Sequence, residues 1–184
     1  MTLTIYALAF VLSLALSLYG TPIARQAALR FQIVDRPDGR LKHQAEPVPY
    51  LGGLAIALSF LITLALTFEF SRAVLGLLLA GTIIVMLGLI DDFGVLTPRA
   101  KLAGQLIAVF VLIKSGIRIE LTFLPDWVQI VLTIVWMVGL TNAFNIIDVM
   151  DGLAGSVAFV SSLSLFAVAV LTQDGDAPVQ MIAL

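Results

Sequence analysis

Long apolar segments separated by short polar ones run through all 184 residues of the chain. A helix that crosses a bilayer needs about 20 mostly apolar residues, within a range of roughly 17–25. Six segments meet or approach this length: residues 3–24, 50–68, 73–90, 102–117, 127–147 and 152–173. The fourth is the weakest because Lys114 interrupts it, and residues 177–184 look like the start of a seventh. The pattern predicts an all-α, polytopic transmembrane helical bundle.

The composition supports an integral membrane protein. Hydrophobic residues make up 60% of the chain and charged residues 12%, whereas a soluble domain has about 25% charged residues. The absence of cysteine excludes disulfides and thiolate metal sites. The uncharged N-terminal segment lacks the basic start of a cleaved signal peptide, so it reads as a retained first span. Without repeats or low-complexity tracts, residues 1–184 are expected to form a single integral-membrane domain.

The basic residues predict which loops face the cytoplasm, because cytoplasmic loops are enriched in Lys and Arg. With six spans, one side of the membrane has seven of them: Arg25, Arg30, Arg36, Arg40, Lys42, Arg99 and Lys101. The other side has Arg72, Lys114 and Arg118. The N-terminus is therefore expected outside and the acidic clusters in the cytoplasm, provided that the fourth span is real. Residues 25–49, with three prolines and a glycine, are expected to form a structured loop rather than a helix.

Asp91 and Asp92 end the third apolar segment, where charged groups are costly to place and invite a functional explanation. Thr97 followed by Pro98 predicts a helix start with threonine as the N-cap. Lys101 would then lie about one turn into that helix. Two carboxylates and a lysine suit phosphate chemistry, with the acids binding Mg²⁺ or a proton and the lysine neutralising phosphate charge. An interfacial loop with ordinary solvated charges is the alternative.

A second polar cluster recurs at every third position near the end of the fifth segment: Asn142, Asn145, Asp148 and Asp151. Each step of three falls 60° short of a helical turn, so the stripe winds around the predicted cytoplasmic end of that helix. Its oxygens suit Mg²⁺ or the donors of a nucleobase and ribose. Capping and packing of the helix end is the alternative. His43, the single histidine, lies in the basic segment RLKH, where simple solvation competes with a functional role.

Three segments together resemble a known family. They are residues 35–43 (DRPDGRLKH) running on to 48–53 (VPYLGG), Asp91-Asp92 with 96–105 (LTPRAKLAGQ), and 142–155 (NAFNIIDVMDGLAG). In this order and spacing they resemble the polyprenyl-phosphate N-acetylhexosamine-1-phosphate transferases of glycosyltransferase family 4. The first segment resembles the undecaprenyl-phosphate GlcNAc-1-phosphate transferase branch more than the MurNAc-pentapeptide branch. Val149 stands where the family usually has glycine.

The resemblance implies a Mg²⁺-dependent enzyme in the bacterial inner membrane. Such an enzyme transfers a sugar 1-phosphate from a UDP-sugar, UDP-GlcNAc by default, to undecaprenyl phosphate and releases UMP. This is the first membrane step of a cell-envelope glycan such as lipopolysaccharide. The implied partners are the UDP-sugar, the polyprenyl phosphate lipid and the membrane. A homodimer is compatible with the family, and no nucleic acid is expected as a partner.

The resemblance also implies residue roles. Asp91 and Asp92 would lie beside the lipid phosphate, with Asp91 assisting its deprotonation, and Lys101 would contact the diphosphate. Asn145 would help hold Mg²⁺ and phosphate. Asp148 and Asp151 would line the nucleotide pocket and are candidates for catalysis together with Asp91 and Asp92. His43 is a candidate substrate-binding residue.

Other functions remain open at this point. The resemblance covers roughly the N-terminal half of the family's length, and members continue with a further metal-binding aspartate and a basic loop. An inactive, truncated membrane scaffold is therefore one alternative. A transporter is another, although it would need ionisable residues near the middle of spans, broken helices or internal repeats.

Overall fold

Six α-helices and one short pair of β-strands form the part of the chain that the structure, a computed structural model, describes, namely residues 2–35, 48–148 and 152–171. In chain order they are α1 (Thr2–Arg30), β1 (Val34–Asp35), β2 (Val48–Pro49), α2 (Gly52–Thr67), α3 (Arg72–Asp92), α4 (Pro98–Lys114), α5 (Asp126–Ile147) and α6 (Leu153–Leu171). The prediction of a helical chain is confirmed, with the strand pair as a small addition.

Three of these helices are long and apolar enough to cross a membrane: Thr4–Arg30 within α1, α3 and α5. α2 and the segment Leu153–Val168 are shorter apolar helices. α4 has 17 residues, so it is about 25 Å long against a hydrocarbon core of about 30 Å. Large apolar side chains are exposed along α1, α3, α5 and α6, as expected of surfaces that face lipid. The helices indicate a membrane protein, while the number of spans stays a prediction.

α1 is longer than the sequence predicts. Residues 25–30 were expected in a loop, but they continue the helix to Arg30 because the segment RQAALR contains good helix formers and no glycine or proline. The helix ends when the Ile33 N–H donates to the Ala28 carbonyl at 2.8 Å and the Gln32 N–H donates to the Leu29 carbonyl at 3.3 Å. Gln32 has φ 58°, the left-handed conformation that this helix terminus requires.

The polar segment after α1 is closed at its base by the antiparallel pairing of β1 with β2, in which Val34 lies opposite Pro49. The two ends of the segment are therefore held side by side, while residues 36–47, on which the prediction of a structured loop mainly rests, lie outside the described residues. His43, within the segment, lies outside the described residues.

The chain divides into two compact units, Met1–Val135 and Trp136–Leu184. In the first unit α2 packs against α1, and α2 has buried residues one turn apart, Ala55, Ser59 and Thr63. Gly20 of α1 faces Ala55 closely enough that a Cβ on the glycine would lie 3.8 Å from the alanine Cβ. Small residues in such stripes let membrane helices approach each other closely.

The first unit continues with α3 and α4, which form an antiparallel pair joined by a short turn. The Thr97 hydroxyl accepts a hydrogen bond from the Ala100 N–H at 3.3 Å, and Pro98 is the first helical residue, as the sequence predicts. Lys114 is the last residue of α4, so it ends the helix rather than interrupting a span that runs on to residue 117. Gly116, with φ 90°, then redirects the chain because a left-handed residue cannot continue the helix.

The connection between α4 and α5 is fixed by polar side chains at the start of α5. The Gln129 amide donates to the Leu121 and Leu124 carbonyls at 3.0 and 2.7 Å, and the Thr133 hydroxyl accepts from the Ile119 N–H at 3.0 Å. Both side chains are buried. They satisfy loop backbone groups that would otherwise be costly to bury next to an apolar helix.

In the second unit, α5 ends at Ile147 and α6 begins at Leu153. Gly152 precedes α6 with φ 74°, and its carbonyl accepts the Ser156 N–H at 2.8 Å. Glycine suits this position because a left-handed backbone is costly for residues with a Cβ.

Thr63 provides a test of the packing of α2. Its hydroxyl is buried and, among the described residues, has no hydrogen-bond partner. The change Thr63→Val keeps the shape and removes a buried hydroxyl, so it should stabilise the protein by about 1 kcal/mol. Thermal unfolding in detergent would show this as a higher midpoint.

The matched control is Ser59→Ala on the same stripe, since the Ser59 hydroxyl donates to the Ala55 carbonyl at 2.7 Å. This substitution should leave the midpoint unchanged or lower it. A lower unfolding midpoint for Thr63→Val would mean that the Thr63 hydroxyl makes a hydrogen bond in the folded protein.

Candidate active site at the turn between α3 and α4

The structure brings together two of the residues that the sequence singles out. Lys101 Nζ lies 2.6 Å from Asp91 Oδ2, a charge-assisted hydrogen bond. The side chains are only 22% and 32% exposed, respectively. Because such a pair is partly removed from water, its charges are screened less than those of a surface ion pair.

Asp91 and Asp92 are the last two residues of α3. Asp91 is half-buried and turned towards α4, whereas Asp92 is exposed. The adjacent carboxylates therefore have different surroundings. The Asp91 carboxylate is bonded to the lysine, and Asp92 is exposed at the end of the helix.

The turn that joins the helices positions these groups. The Gly94 N–H donates to the Asp91 carbonyl at 2.8 Å, and Gly94 has φ 68°, which sends the chain back alongside α3. Thr97 then starts α4 through its capping hydrogen bond. The first backbone N–H groups of a helix favour anions near them. The turn thus combines carboxylates, a lysine and a helix N-terminus.

Lys101 lies on the face of α4 that carries the buried residues of that helix. The buried residues of this helix include Gln105, Ala108 and Leu112, which follow Lys101 by four, seven and eleven residues. These intervals lie on one helical face. Lys101 therefore lies at the end of the buried stripe, where its ammonium group reaches both Asp91 and the surroundings.

The second predicted cluster lies at the end of α5, in the second unit. Asn142 donates from its amide to the Val138 carbonyl at 2.8 Å. Asn145 is exposed in the last turn, and Asp148 is exposed just beyond it, with its N–H donating to the Phe144 carbonyl at 3.2 Å. Asn145 and Asp148 are thus both exposed at this helix end, and the proposed role of the stripe stays a prediction. Asp151 lies outside the described residues.

The described residues contain no group of three or more His, Asp or Glu side chains close enough to hold a metal ion together. Mg²⁺, however, is commonly bound by one or two carboxylates together with water and substrate phosphates. Asp91 and Asp92 supply a donor set of this kind, with carboxylate oxygens on consecutive residues. The chemistry of these residues therefore fits Mg²⁺.

Sequence reasoning missed two features of this site. Gln105 is 3% exposed, one turn beyond Lys101, and Gly104 lies directly against Leu87 of α3. Both belong to the segment that carries the resemblance, KLAGQ. A glutamine within an apolar helix can be recognised in the sequence as a candidate buried polar residue. The contact of Gly104 depends on which residue of α3 packs against it, and the sequence of α4 does not indicate that residue.

Comparisons with known proteins agree with the family resemblance seen in the sequence. Residues 74–184 match glycosyl transferase family 4. The chain is 31% identical over 176 residues to a probable undecaprenyl-phosphate N-acetylglucosaminyl 1-phosphate transferase of Bacillus subtilis, covering 91% of this chain and 48% of the relative. It is 32% identical over 178 residues to the decaprenyl-phosphate N-acetylglucosaminephosphotransferase of Mycolicibacterium smegmatis, covering 85% and 44%.

The other branch of the family is also similar. A phospho-N-acetylmuramoyl-pentapeptide-transferase of Halalkalibacterium halodurans is 38% identical over 181 residues, covering 83% of this chain and 54% of the relative. No solved structure matches the chain. The chain spans about half the length of the curated relatives it matches.

The matched region includes α3, α4 and the end of α5, and therefore the Asp91–Lys101 pair and the stripe from Asn142 to Asp148. The resemblance noted in the sequence is confirmed by both the family match and the relatives. The chain belongs to glycosyl transferase family 4.

Proposed function

We propose that the protein transfers a sugar 1-phosphate, GlcNAc-1-phosphate by default, from a UDP-sugar to a polyprenyl phosphate such as undecaprenyl phosphate, and releases UMP. Relatives of this chain are named for N-acetylglucosaminyl 1-phosphate transfer and for undecaprenyl or decaprenyl phosphate. The UDP-sugar donor and the release of UMP come from the family resemblance.

The observation that supports this function most directly is the Asp91–Lys101 pair at the end of two apolar helices. A polyprenyl phosphate has its tail in the bilayer and its phosphate at the surface. A charged site at a helix end, rather than within a span, is where that phosphate can meet a water-soluble nucleotide sugar. Phosphate chemistry also needs cationic groups, because attack of one phosphate on another brings like charges together.

In the proposed reaction, an oxygen of the lipid phosphate attacks the sugar-bearing phosphorus of the UDP-sugar. A new P–O bond joins the two phosphates, and the P–O bond to the uridine monophosphate breaks. UMP leaves with the electron pair of that bond. The product is a lipid diphosphate sugar, and no oxidant or other co-reactant is required.

Asp91 is proposed to assist deprotonation of the lipid phosphate, and Lys101 to contact the diphosphate. Lys101 is bonded to Asp91 at 2.6 Å, so it would exchange this carboxylate for a phosphate oxygen when the substrates bind. That exchange would release the Asp91 carboxylate for the proton. Asp92 would contact the same phosphate region from its exposed position. By the family resemblance, Asp148 and Asp151 are proposed to line the nucleotide pocket, and His43 is proposed as a further substrate contact.

Mg²⁺ is the proposed cofactor. Asp92 would provide carboxylate oxygens for it. By the family resemblance, Asn145 would help hold Mg²⁺ and phosphate. When bound, the cation would offset the charge that builds up on the phosphate oxygens during transfer.

The protein is proposed to cross the bacterial inner membrane with its N-terminus outside and with the ends of α3 and α5 in the cytoplasm. The six-span arrangement and the beginning of a seventh remain part of this proposal. The distribution of Lys and Arg supports it.

Two substitutions test the acidic residues. Asp92→Asn and Asp148→Asn should each lower UMP release by at least about 10²-fold, because an amide removes the negative charge while it keeps the shape. UMP release would be measured on the intact protein in membranes with UDP-GlcNAc and undecaprenyl phosphate. Asp126→Asn is the matched control, since Asp126 is an exposed acid that pairs with Arg118 at the start of α5. A near-native rate would remove the substituted residue from the mechanism.

Removal of divalent cations tests the cofactor. Chelation with EDTA should abolish UMP release, and added Mg²⁺ should restore it, because the phosphate charges would otherwise repel each other. Calcium is the control cation, because it is larger and prefers more ligands. Full activity in excess EDTA would contradict the proposal.

The proposed topology can be tested by labelling, because the chain has no cysteine. Val95→Cys lies in the α3–α4 turn and Phe123→Cys in the α4–α5 connection, and both native side chains are highly exposed. A membrane-impermeant thiol reagent should label position 123 from outside and position 95 only after the membrane is opened. Labelling of both positions from one side would mean that α4 does not cross.

A further inference from the structure

α3 and α4 approach each other closely at two places along one seam. At one end, Gly76 of α3 faces Ser115, the residue after α4, and a Cβ on the glycine would collide with the serine side chain. At the other end, Gly104 of α4 faces Leu87 of α3. Leu87 lies eleven residues after Gly76, and Gly104 lies eleven residues before Ser115. Equal steps in opposite directions are expected of two antiparallel helices in constant register.

The contact between Gly104 and Leu87 leaves no room for a side chain. A Cβ on Gly104 would lie 2.5 Å from both Leu87 methyl carbons and 3.0 Å from Leu87 Cγ, whereas carbon atoms in contact are about 3.5–4.0 Å apart. Since Cγ is crowded as well as the methyls, rotation of the methyl groups alone does not relieve the overlap. A helix also restricts the first side-chain torsion of leucine to two rotamers. Either the leucine or the helix must therefore move.

This contact lies one helical turn from the Asp91–Lys101 pair. Asp91 follows Leu87 by four residues on α3, and Lys101 precedes Gly104 by three on α4. Residues three or four apart on a helix lie on the same face. The separation of the helices at Leu87 and Gly104 therefore sets the distance that the Lys101 side chain must bridge.

We propose that Gly104 and Leu87 are positioning residues, whose close contact holds α4 against α3 at the spacing that keeps Lys101 on Asp91. The catalytic consequence rests on the function proposed above, but the effect on the ion pair does not. Gly104 touches neither charged group. It acts through the helix spacing.

The test starts with Gly104→Ala. An extra carbon in this contact must move the leucine or α4 and so weaken the hold of Lys101 on Asp91. The kcat/KM for UMP release should therefore fall about tenfold. Gly88→Ala is the matched control, because Gly88 is on α3, one turn before Asp92, and a Cβ there would meet no atom within 4 Å. Both substitutions make the same gain in helix propensity. The control should therefore stay within about twofold of the unaltered protein, which is the usual range for a substitution without new contacts.

A second substitution that restores activity identifies the cause of the loss in Gly104→Ala. Adding Leu87→Ala to Gly104→Ala removes the atoms that the new Cβ would meet, so the double variant should return to within about threefold of Leu87→Ala alone. If the loss came from another effect of alanine at position 104, removal of the leucine would not restore the activity.

A second readout does not need activity. The chain has three lysines, Lys42, Lys101 and Lys114, so modification by an amine reagent can be followed for each by mass spectrometry. Lys101 should react about threefold faster or more in Gly104→Ala, relative to Lys114, because it is released from Asp91. The double variant should return to the labelling rate of Leu87→Ala alone.

The outcomes separate the two proposals. If no variant releases UMP but Lys101 labelling follows the expected pattern, the proposed function fails and the positioning role stands. If both readouts are the same for Gly104→Ala as for Gly88→Ala, the positioning role is overturned. If Gly104→Ala does not accumulate in membranes, the double variant decides: its recovery with normal Lys101 labelling supports the role, and its loss overturns it.

Discussion

The close packing of α3 on α4 is the constraint on which the candidate site depends. A lysine and an aspartate ten residues apart in sequence come within 2.6 Å because the chain reverses at the turn and the helices then remain close. The reversal requires Gly94 in a left-handed conformation and the Thr97 cap. The spacing requires that no side chain separates the helices at Gly104. Charge attraction alone would not hold two flexible side chains in this geometry.

The distribution of polar groups agrees with a membrane protein that works at its surface. Polar side chains within the apolar helices mostly bond to the backbone of their own helix, as Ser59, Thr82 and Thr141 do. The buried Gln129 secures a neighbouring connection instead. Among the described residues, the Asp, Glu, Lys and Arg side chains, in contrast, lie near helix ends or in the connections. This separation is physically reasonable because an ionised group within hydrocarbon is far more costly than a satisfied hydroxyl.

The chain covers about half the length of its relatives, and its two described clusters lie in separate units. The pair at the α3–α4 turn is complete in itself, since both partners belong to the first unit. At the end of α5, the Asn142 amide is bonded to its own helix, and Asn145 and Asp148 are exposed in the second unit. The structure therefore shows a bonded pair of charged side chains in the first cluster and exposed polar groups in the second.

Much of this protein could be predicted from local sequence. Apolar length and turn residues identified six helical segments, and Thr97-Pro98 identified the start of α4. The extension of α1 to Arg30 and the end of α4 at Lys114 were missed, because helix ends depend on hydrogen bonds that apolar length does not reveal. Motif resemblance identified the family and the acidic residues. Only the tertiary structure decided which carboxylate Lys101 meets and that Gly104 lies against Leu87. Such contacts depend on the register between two helices, and the pattern within either helix does not encode that register.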